Sequence, residues 1–296
     1  MKIGLLGPNT QVQHISKLLN KNNVKYINLN ESLLEKNVIL RFIKFYRMII
    51  GLDIIYGLYG GFKFNPRYLI AKFAGKKVIN HWIGTDVLEA QNNKLNKLNQ
   101  LFIDTNLSCS SLIKSEIADL GINSIEIPII PSGMNYDLSE MPKSHAALVY
   151  LPEDKELFYG LDYVKALVKT FKTVKFYIVA NNNQNLLPYD NVKFLGKLDL
   201  SEMEELYKKI SILVRLPKHD GLSLMLLEAL AKGKEVLYIY DFPNVRAVNN
   251  NEDLKSSFEE IIKKPPMLNL QGHNYIKENY SSDIVFNKLI KVFKEI

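Results

Sequence analysis

Short apolar runs recur along the chain, each closed by a turn residue and followed by a stretch whose apolar positions repeat every three or four residues. Lys2–Leu6 is such a run, ended by Gly7-Pro8; a helical pattern over 11–19 follows, then a strand over 24–28. Residues 32–50 read as one long helix, 53–58 as a strand closed by Gly60-Gly61, and Pro66–Phe73 as a helix stopped by Gly75. Strands are predicted over 76–80 and 106–110, the latter before a helix that ends at Gly121. The rhythm restarts after a turn-rich stretch over 128–142 that holds Pro128, Pro131, Gly133 and Pro142. It gives strands over 146–151, 174–180, 192–195, 212–216 and 236–240. Helices are predicted over 162–170, 201–209 (capped by Ser201) and 223–232, the last ended by Gly233. Ser282–Glu295 is an amphipathic helix with Ile284, Val285, Leu289, Val292 and Phe293 on its apolar side. Strands alternating with helices predict an α/β protein with two doubly wound parallel sheets, joined near residues 130–145. In such sheets ligands bind beyond the carboxyl ends of the strands, so residues just after strands are the candidates for function.

The composition of the 296 residues is that of an ordinary globular chain: 47% hydrophobic and 23% charged, enough to bury two cores. No apolar run is long enough for a membrane span, and MKIGLLGPNT is too short for a signal-peptide core. A single cysteine, Cys109, excludes an internal disulfide and fits a reducing, cytoplasmic compartment. The five histidines lack ligand spacing, no Asp-x-Asp triplet occurs, and no glycine-rich nucleotide loop is present. No metal and no cofactor are therefore expected.

The net charge of +7 is unevenly placed. Between Lys36 and Lys77 stand nine Lys or Arg against Asp53 alone, a local surplus of +8, so the rest of the chain is close to neutral. Arg41, Lys44 and Arg47 recur at three-residue steps among Leu40, Phe42, Ile43, Phe45 and Met48, with Arg67 further on. Cations spaced along an apolar helix suit an anionic membrane surface or a lipid-linked or glycan acceptor. A core-facing helix with snorkelling cations is the alternative. Nucleic acid is a third kind of partner for such a patch, though no nucleic-acid-binding motif accompanies it and none is expected.

Residues 214–233, VRLPKHDGLSLMLLEALAKG, carry the chemistry. A strand enters a polar turn and then a helix apolar on almost every side. Gly221 allows close backbone approach, and the N–H groups of Leu222, Ser223 and Leu224 form an anion-binding end, with Arg215, Lys218 and His219 nearby. Glu228 interrupts the apolar helix. Either an internal ion pair with Arg215 or Lys232 satisfies it, or a ligand with paired hydroxyls does, as a ribose would.

The segment from Asp220 to Gly233 resembles the Glu-Gly-Phe-Gly-Leu-x-x-x-Glu-Ala-x-Ala-x-Gly motif of retaining GT-B glycosyltransferases, family 4 especially. It matches at Gly221, Leu224, Glu228, Ala229, Ala231 and Gly233, with Asp220 for the first Glu and Leu222-Ser223 for Phe-Gly. Residues 192–196 resemble that family's Asn-Val-x-Phe-x-Gly strand, and His81, Gly84 and Asp86 its His-Gly-x-Asp-like loop. The resemblance implies two Rossmann-like domains facing across a cleft, 1–140 on the acceptor side and 141–278 on the nucleotide-sugar side, with a closing helix over 279–296 packing back on the first. It implies sugar transfer from a nucleotide-diphosphate sugar, with retention and without metal. Glu228 would hold the ribose, Asp220 the sugar hydroxyls, and the backbone of Gly221, Leu222 and Ser223 the sugar or diphosphate. His81 would face the sugar, Asp86 the acceptor or cleft wall, and Gly7 would approach both substrates. A satisfied loop histidine is the other reading of His81. One departure stands out: the family's Arg and Lys around 150–160, which grip the diphosphate, are missing, and Tyr159 precedes Gly160. Arg215 or Lys218 would replace them, or the enzyme is degenerate. An epimerase or hydrolase acting on the nucleotide sugar is the alternative activity. Location at the inner face of the plasma membrane follows if the basic patch binds lipid.

Overall fold

Two parallel sheets organise the chain, and the computed structural model describes residues 1–93 and 95–296 of it. In chain order the strands are β1 (Lys2–Leu6), β2 (Lys25–Asn28), β3 (Ile54–Leu58), β4 (Lys77–Trp82), β5 (Thr105–Ser108), β6 (Ile125–Glu126), β7 (Ala146–Tyr150), β8 (Lys175–Val179), β9 (Val192–Gly196), β10 (Ile212–Arg215), β11 (Glu235–Tyr238) and β12 (Arg246–Ala247). The helices are α1 (Asn9–Lys21), α2 (Val38–Ile49), α3 (Pro66–Phe73), α4 (Thr85–Asn93), α5 (Lys97–Gln100), α6 (Ser111–Ala118), α7 (Leu161–Thr170), α8 (Leu200–Tyr207), α9 (Leu224–Ala231), α10 (Asn251–Ile262), α11 (Leu270–Asn279) and α12 (Ser282–Glu295).

The first sheet runs β2-β1-β3-β4-β5-β6 and the second β12-β11-β10-β7-β8-β9, each parallel throughout. Strand order reverses at β1/β3 in the first and at β7/β10 in the second, the crevices where open α/β sheets take ligands. Central strands are covered on both faces, which is why β3 is buried at every position and reads as a continuous apolar run.

Packing divides the chain into two units. One comprises Met1–Met134, Asp220–Leu224 and Tyr280–Ile296; the other comprises Asn135–His219 and Met225–Asn279. The turn at 220–224 thus belongs with the first unit although it lies deep in the second half of the sequence. In the first unit α12 buries Val285, Leu289, Val292 and Phe293, and Phe293 meets Tyr56 of β3 edge-on at 5.8 Å. In the second, Phe176 of β8 stacks on Phe258 of α10 at 5.7 Å within a core that also holds Val149, Leu167 and Val214.

Several elements differ from the sequence expectation. The long helix over 32–50 is broken: a 3₁₀ turn occupies Leu29–Leu34, and α2 starts only after Asn37. The Asn37 side chain accepts from Ile39 N (2.9 Å) and Leu40 N (3.2 Å), a local cap that ends the preceding segment. The cap of α8 is Asp199, not Ser201. Asp199 accepts from Glu202 N (2.9 Å) and Glu202 accepts from Asp199 N (2.8 Å), a reciprocal capping box. Between 81 and 105, where no element was expected, stand α4 and α5, and between 240 and 282 stand β12, α10 and α11.

At the β7/β10 crevice the two loops are tied together. Lys218 N donates to Phe158 O at 2.7 Å, and a Cβ added to Gly160, whose φ is +83°, would run into the Leu216 carbonyl oxygen. Gly160→Ala is expected to cost about 2 kcal/mol, because strained backbone and a rigid neighbour combine. Gly51→Ala, which meets nothing within 4 Å, should stay within about 0.5 kcal/mol of the parent. Urea denaturation separates the two; equal midpoints would contradict the crevice geometry.

Candidate functional site

In the second unit the β7/β10 crevice is lined by a cation that lies against two rings. The Arg215 guanidinium, buried at the end of β10, lies 4.9 Å from the ring centre of Tyr150 and 4.9 Å from that of Tyr159. These tyrosines occupy the stretch where the expected Arg and Lys are missing. Lys218, exposed on the following turn, stands on the same loop. His219 meets Tyr240 edge-on at 6.4 Å.

Glu228 sits on α9, whose Leu226, Leu227, Ala229, Leu230 and Ala231 are buried. Neither expected ion pair forms. The Lys232 ammonium is drawn to Glu204 at 2.6 Å, and Glu228 instead accepts a hydrogen bond from the buried Tyr207 hydroxyl at 3.0 Å. Among the described residues Tyr207 is its hydrogen-bond partner. Burial raises the Glu228 carboxyl to about 7; the Tyr207 bond works against that rise, and the nearby Glu204 charge adds to it. Burial likewise pushes the Tyr207 phenol up, so it stays a donor.

The turn around Gly221 is built into the first unit. A Cβ there would strike the Ile83 carbonyl oxygen, and the Gly221 carbonyl accepts from Ser110 Oγ at 2.6 Å. Leu222 packs against the cluster of Trp82, Val87, Cys109 and Ile113. Asp86 shapes the other wall. Its carboxylate is fully buried and accepts from Ile83 N (3.0 Å) and Gly84 N (2.9 Å), closing the turn that meets Gly221. Burial raises the Asp86 carboxyl to about 6, with those N–H groups pulling the other way. Cys109 feels both carboxylates: its thiol is pushed up by burial first, then by Asp86, with a smaller push from Asp220. The structure therefore brings Asp220, Gly221, Leu222, Gly84 and Asp86 together, with Asp86 engaged by its own backbone rather than turned to an acceptor. Ser223 is buried beside them in the chain.

His81 is placed differently from the expectation. It lies in β4, paired to Leu58 on one side and Leu107 on the other, not in the loop that follows. Its ring is fully buried, Nδ1 lies 2.6 Å from the Tyr56 hydroxyl, and burial lowers it to about 3, so it is neutral. Gly7 stands at the β1/β3 crevice, where Asn30 grips both its peptide groups: Oδ1 accepts from Gly7 N (3.1 Å) and Nδ2 donates to Gly7 O (2.7 Å). The basic patch also divides. Lys44 and Arg47 are exposed, whereas Arg41 and Arg67 are half-buried, Arg41 bonding Glu35 O at 2.9 Å.

No protein-family profile matches the chain, and no curated protein matches it in sequence. Solved structures do. Anabaena HepE, in complex with UDP and glucose, is 12% identical with a TM-score of 0.72, over 100% of both chains. The lipopolysaccharide outer core galactosyltransferase WaaB in its apo form is 16% identical with a TM-score of 0.67, again over 100% of both. A TarM variant from S. aureus, in complex with fondaparinux, alpha-GlcNAc-glycerol and UDP, is 12% identical with a TM-score of 0.64. That match covers 86% of this chain, and the chain spans 59% of TarM. The fold is GT-B.

Within this GT-B chain, four side chains escaped sequence reasoning: Tyr207, Tyr150, Ser110 and Asn30, each defined by a partner far along the chain. Tyr159 alone left a signal, as an aromatic where the family carries a cation. The raised Glu228 carboxyl has a consequence for stability. A neutral Glu228 favours folding below the ordinary carboxyl value near 4.5, and that contribution is lost as pH rises from there through about 7. Glu228→Gln, which stays neutral, should match the parent below pH 4.5 and exceed it above pH 7 by about 2–3 kcal/mol in chemical denaturation. A constant difference across that range would contradict the burial of the charge.

Proposed function

We propose that this chain is a retaining, metal-independent glycosyltransferase that moves a sugar from a nucleotide-diphosphate sugar to a lipid-linked or membrane glycan acceptor at the cytoplasmic face of a membrane. The observation that carries the donor half is Glu228: a carboxylate on an apolar helix, raised to about 7, with a single phenol as hydrogen-bond partner among the described residues. Two adjacent ribose hydroxyls give it the donors that its position in α9 lacks. Arg215, steadied by Tyr150 and Tyr159, and Lys218 take the negative charge of the diphosphate, which grows as the glycosidic bond breaks. Asp220 accepts from hydroxyls of the transferred sugar, and the backbone of Gly221, Leu222 and Ser223 lies along the sugar and diphosphate. Asp86 and Ser110 act as positioning residues for that turn. The UDP in the complexes of HepE and TarM supports uracil as the base to test.

The acceptor half rests on α2. Ile39, Ile43, Tyr46 and Ile50 recur at helical spacing and are exposed, Ile39 at 71% and Ile50 at 59%, with Lys44 and Arg47 between them. Together with Phe42, Arg47 and Ile70 they line a shallow groove of about 620 Å³. An apolar stripe flanked by cations fits insertion at an anionic lipid surface. No described helix is long and apolar enough to cross a membrane.

In a thermal-shift assay with a chelator present, UDP at about 100 times its dissociation constant should stabilise the chain by about 2.7 kcal/mol. Glu228→Ala should weaken UDP at least about tenfold, as loss of a charged hydrogen-bond acceptor does. Stabilisation that needs a divalent metal, or that survives Glu228→Ala, overturns the donor reading. For the acceptor half, co-sedimentation with phosphatidylglycerol vesicles should fall with added salt and be lost in the Ile39→Asp, Ile43→Asp double variant. Binding indifferent to lipid charge and salt would contradict a role for α2 at an anionic membrane.

A further inference from the structure

We propose that Arg41 and Arg67 form a binding site for a phosphate or diphosphate group on the α2–α3 face of the first unit. The basic segment over 36–77 contains one acid, Asp53, and its carboxylate is already engaged by the backbone of Lys2 at 2.7 Å. Of the other cations of the segment, Lys72 pairs with Asp104 at 2.7 Å, and Lys76, like Arg41 Nε on Glu35 O, donates to a backbone carbonyl, that of Ile50 at 2.8 Å. Arg41 and Arg67 form no ion pair among the described residues. Arg67 Nε is buried without a hydrogen-bond acceptor, and its guanidinium lies over the rings of Phe42 at 5.6 Å and Phe45 at 5.9 Å.

A half-buried guanidinium with no counter-charge is costly, and a second one beside it makes it costlier. Arg41 is close enough to lower the Arg67 guanidinium, after burial itself. The rings of Phe42 and Phe45 lie against the Arg67 guanidinium, and its terminal Nη groups remain to bind a tetrahedral anion. The backbone favours the same ligand. Arg67 stands in the first turn of α3, where the helix dipole is positive, and Asn65 caps that turn by accepting from Arg67 N at 3.1 Å. Two neighbouring guanidinium groups, one of them in the first turn of α3, match the charge of a phosphate monoester or diphosphate better than that of a carboxylate. The phosphate has two sources: a soluble anion, or a lipid headgroup brought by the neighbouring apolar stripe. The site lies wholly in the first unit and stands whether or not Glu228 holds a ribose.

The test is calorimetry with inorganic pyrophosphate, together with flotation on phosphatidylcholine vesicles with and without phosphatidic acid. Both use the full chain carrying Arg215→Gln and Lys218→Gln, so that neither cation of the donor diphosphate site contributes. Arg67→Gln and Arg41→Gln should each weaken binding about tenfold or more, and Arg67→Lys should weaken it less, keeping the charge but not the fork. Without anion, Arg67→Gln should be at least as stable as its parent, since it relieves the like-charge contact. Binding of both probes identifies the phosphate group alone as the ligand; binding of the vesicles alone identifies a lipid headgroup. Absence of binding to either probe, binding unchanged in Arg67→Gln, or a loss of stability as that variant's sole effect overturns the site and leaves the aromatic stack as its whole purpose.

Discussion

A carboxylate carried on an apolar helix is the constraint around which the second unit is arranged. Glu228 cannot leave α9, because its neighbours Leu227 and Ala229 are buried on either side. Its nearest cation in sequence, Lys232, is itself buried and committed to Glu204. What remains is Tyr207, at the end of α8, whose hydroxyl supplies a single hydrogen bond. One neutral donor does not offset the desolvation of a charge, so the carboxyl is raised to about 7 and α9 carries an acid near its titration point. Such a site gains from a ligand that brings hydroxyl donors, and a nucleoside supplies two on adjacent carbons.

The same unit handles positive charge in an unusual way. Where the motif family places cations after the first strand, this chain has Tyr150 and Tyr159, and both rings face Arg215 from the neighbouring strand β10. Among the described residues the crevice holds the Arg215 guanidinium, supplied from β10 and steadied by Tyr150 and Tyr159. Gly160 and the Lys218–Phe158 hydrogen bond hold the two loops at the spacing this requires. In the first unit, cations divide by environment: Lys44 and Arg47 meet solvent among exposed isoleucines, while Arg41 and Arg67 are drawn inward against aromatic rings.

Much of the architecture was legible because buried parallel strands are written as apolar runs: β1, β3, β7 and β10 announce themselves, and Gly221 to Gly233 carries a motif long enough to name a fold. What stayed illegible depended on distant partners or on competing local bonds. Asn37 splits a helix that periodicity alone would continue, and Asp199 outcompetes Ser201 because Glu202 completes its capping box. α4 is polar at its end and weakly patterned, so it passed for a loop. His81 looked like a site residue because it follows an apolar run, but β4 extends through it and pairs on both sides, which buries the ring. The motif assigns Asp86 to the acceptor or cleft wall; the carboxylate is buried and accepts from Ile83 N and Gly84 N, bonds that the sequence alone does not announce. Tyr207 could not be read as the partner of Glu228, since nothing in the sequence brings residues 21 positions apart to 3.0 Å.

Whether Glu228 waits for a ribose is read by titrating its carboxyl carbon in nuclear magnetic resonance, with and without a nucleoside diphosphate. A midpoint near 7 is expected in the free chain, moving down when the nucleotide binds, because ribose hydroxyls stabilise the charged form. A midpoint at the ordinary carboxylate value in the free chain, or one that nucleotide binding leaves in place, would contradict it.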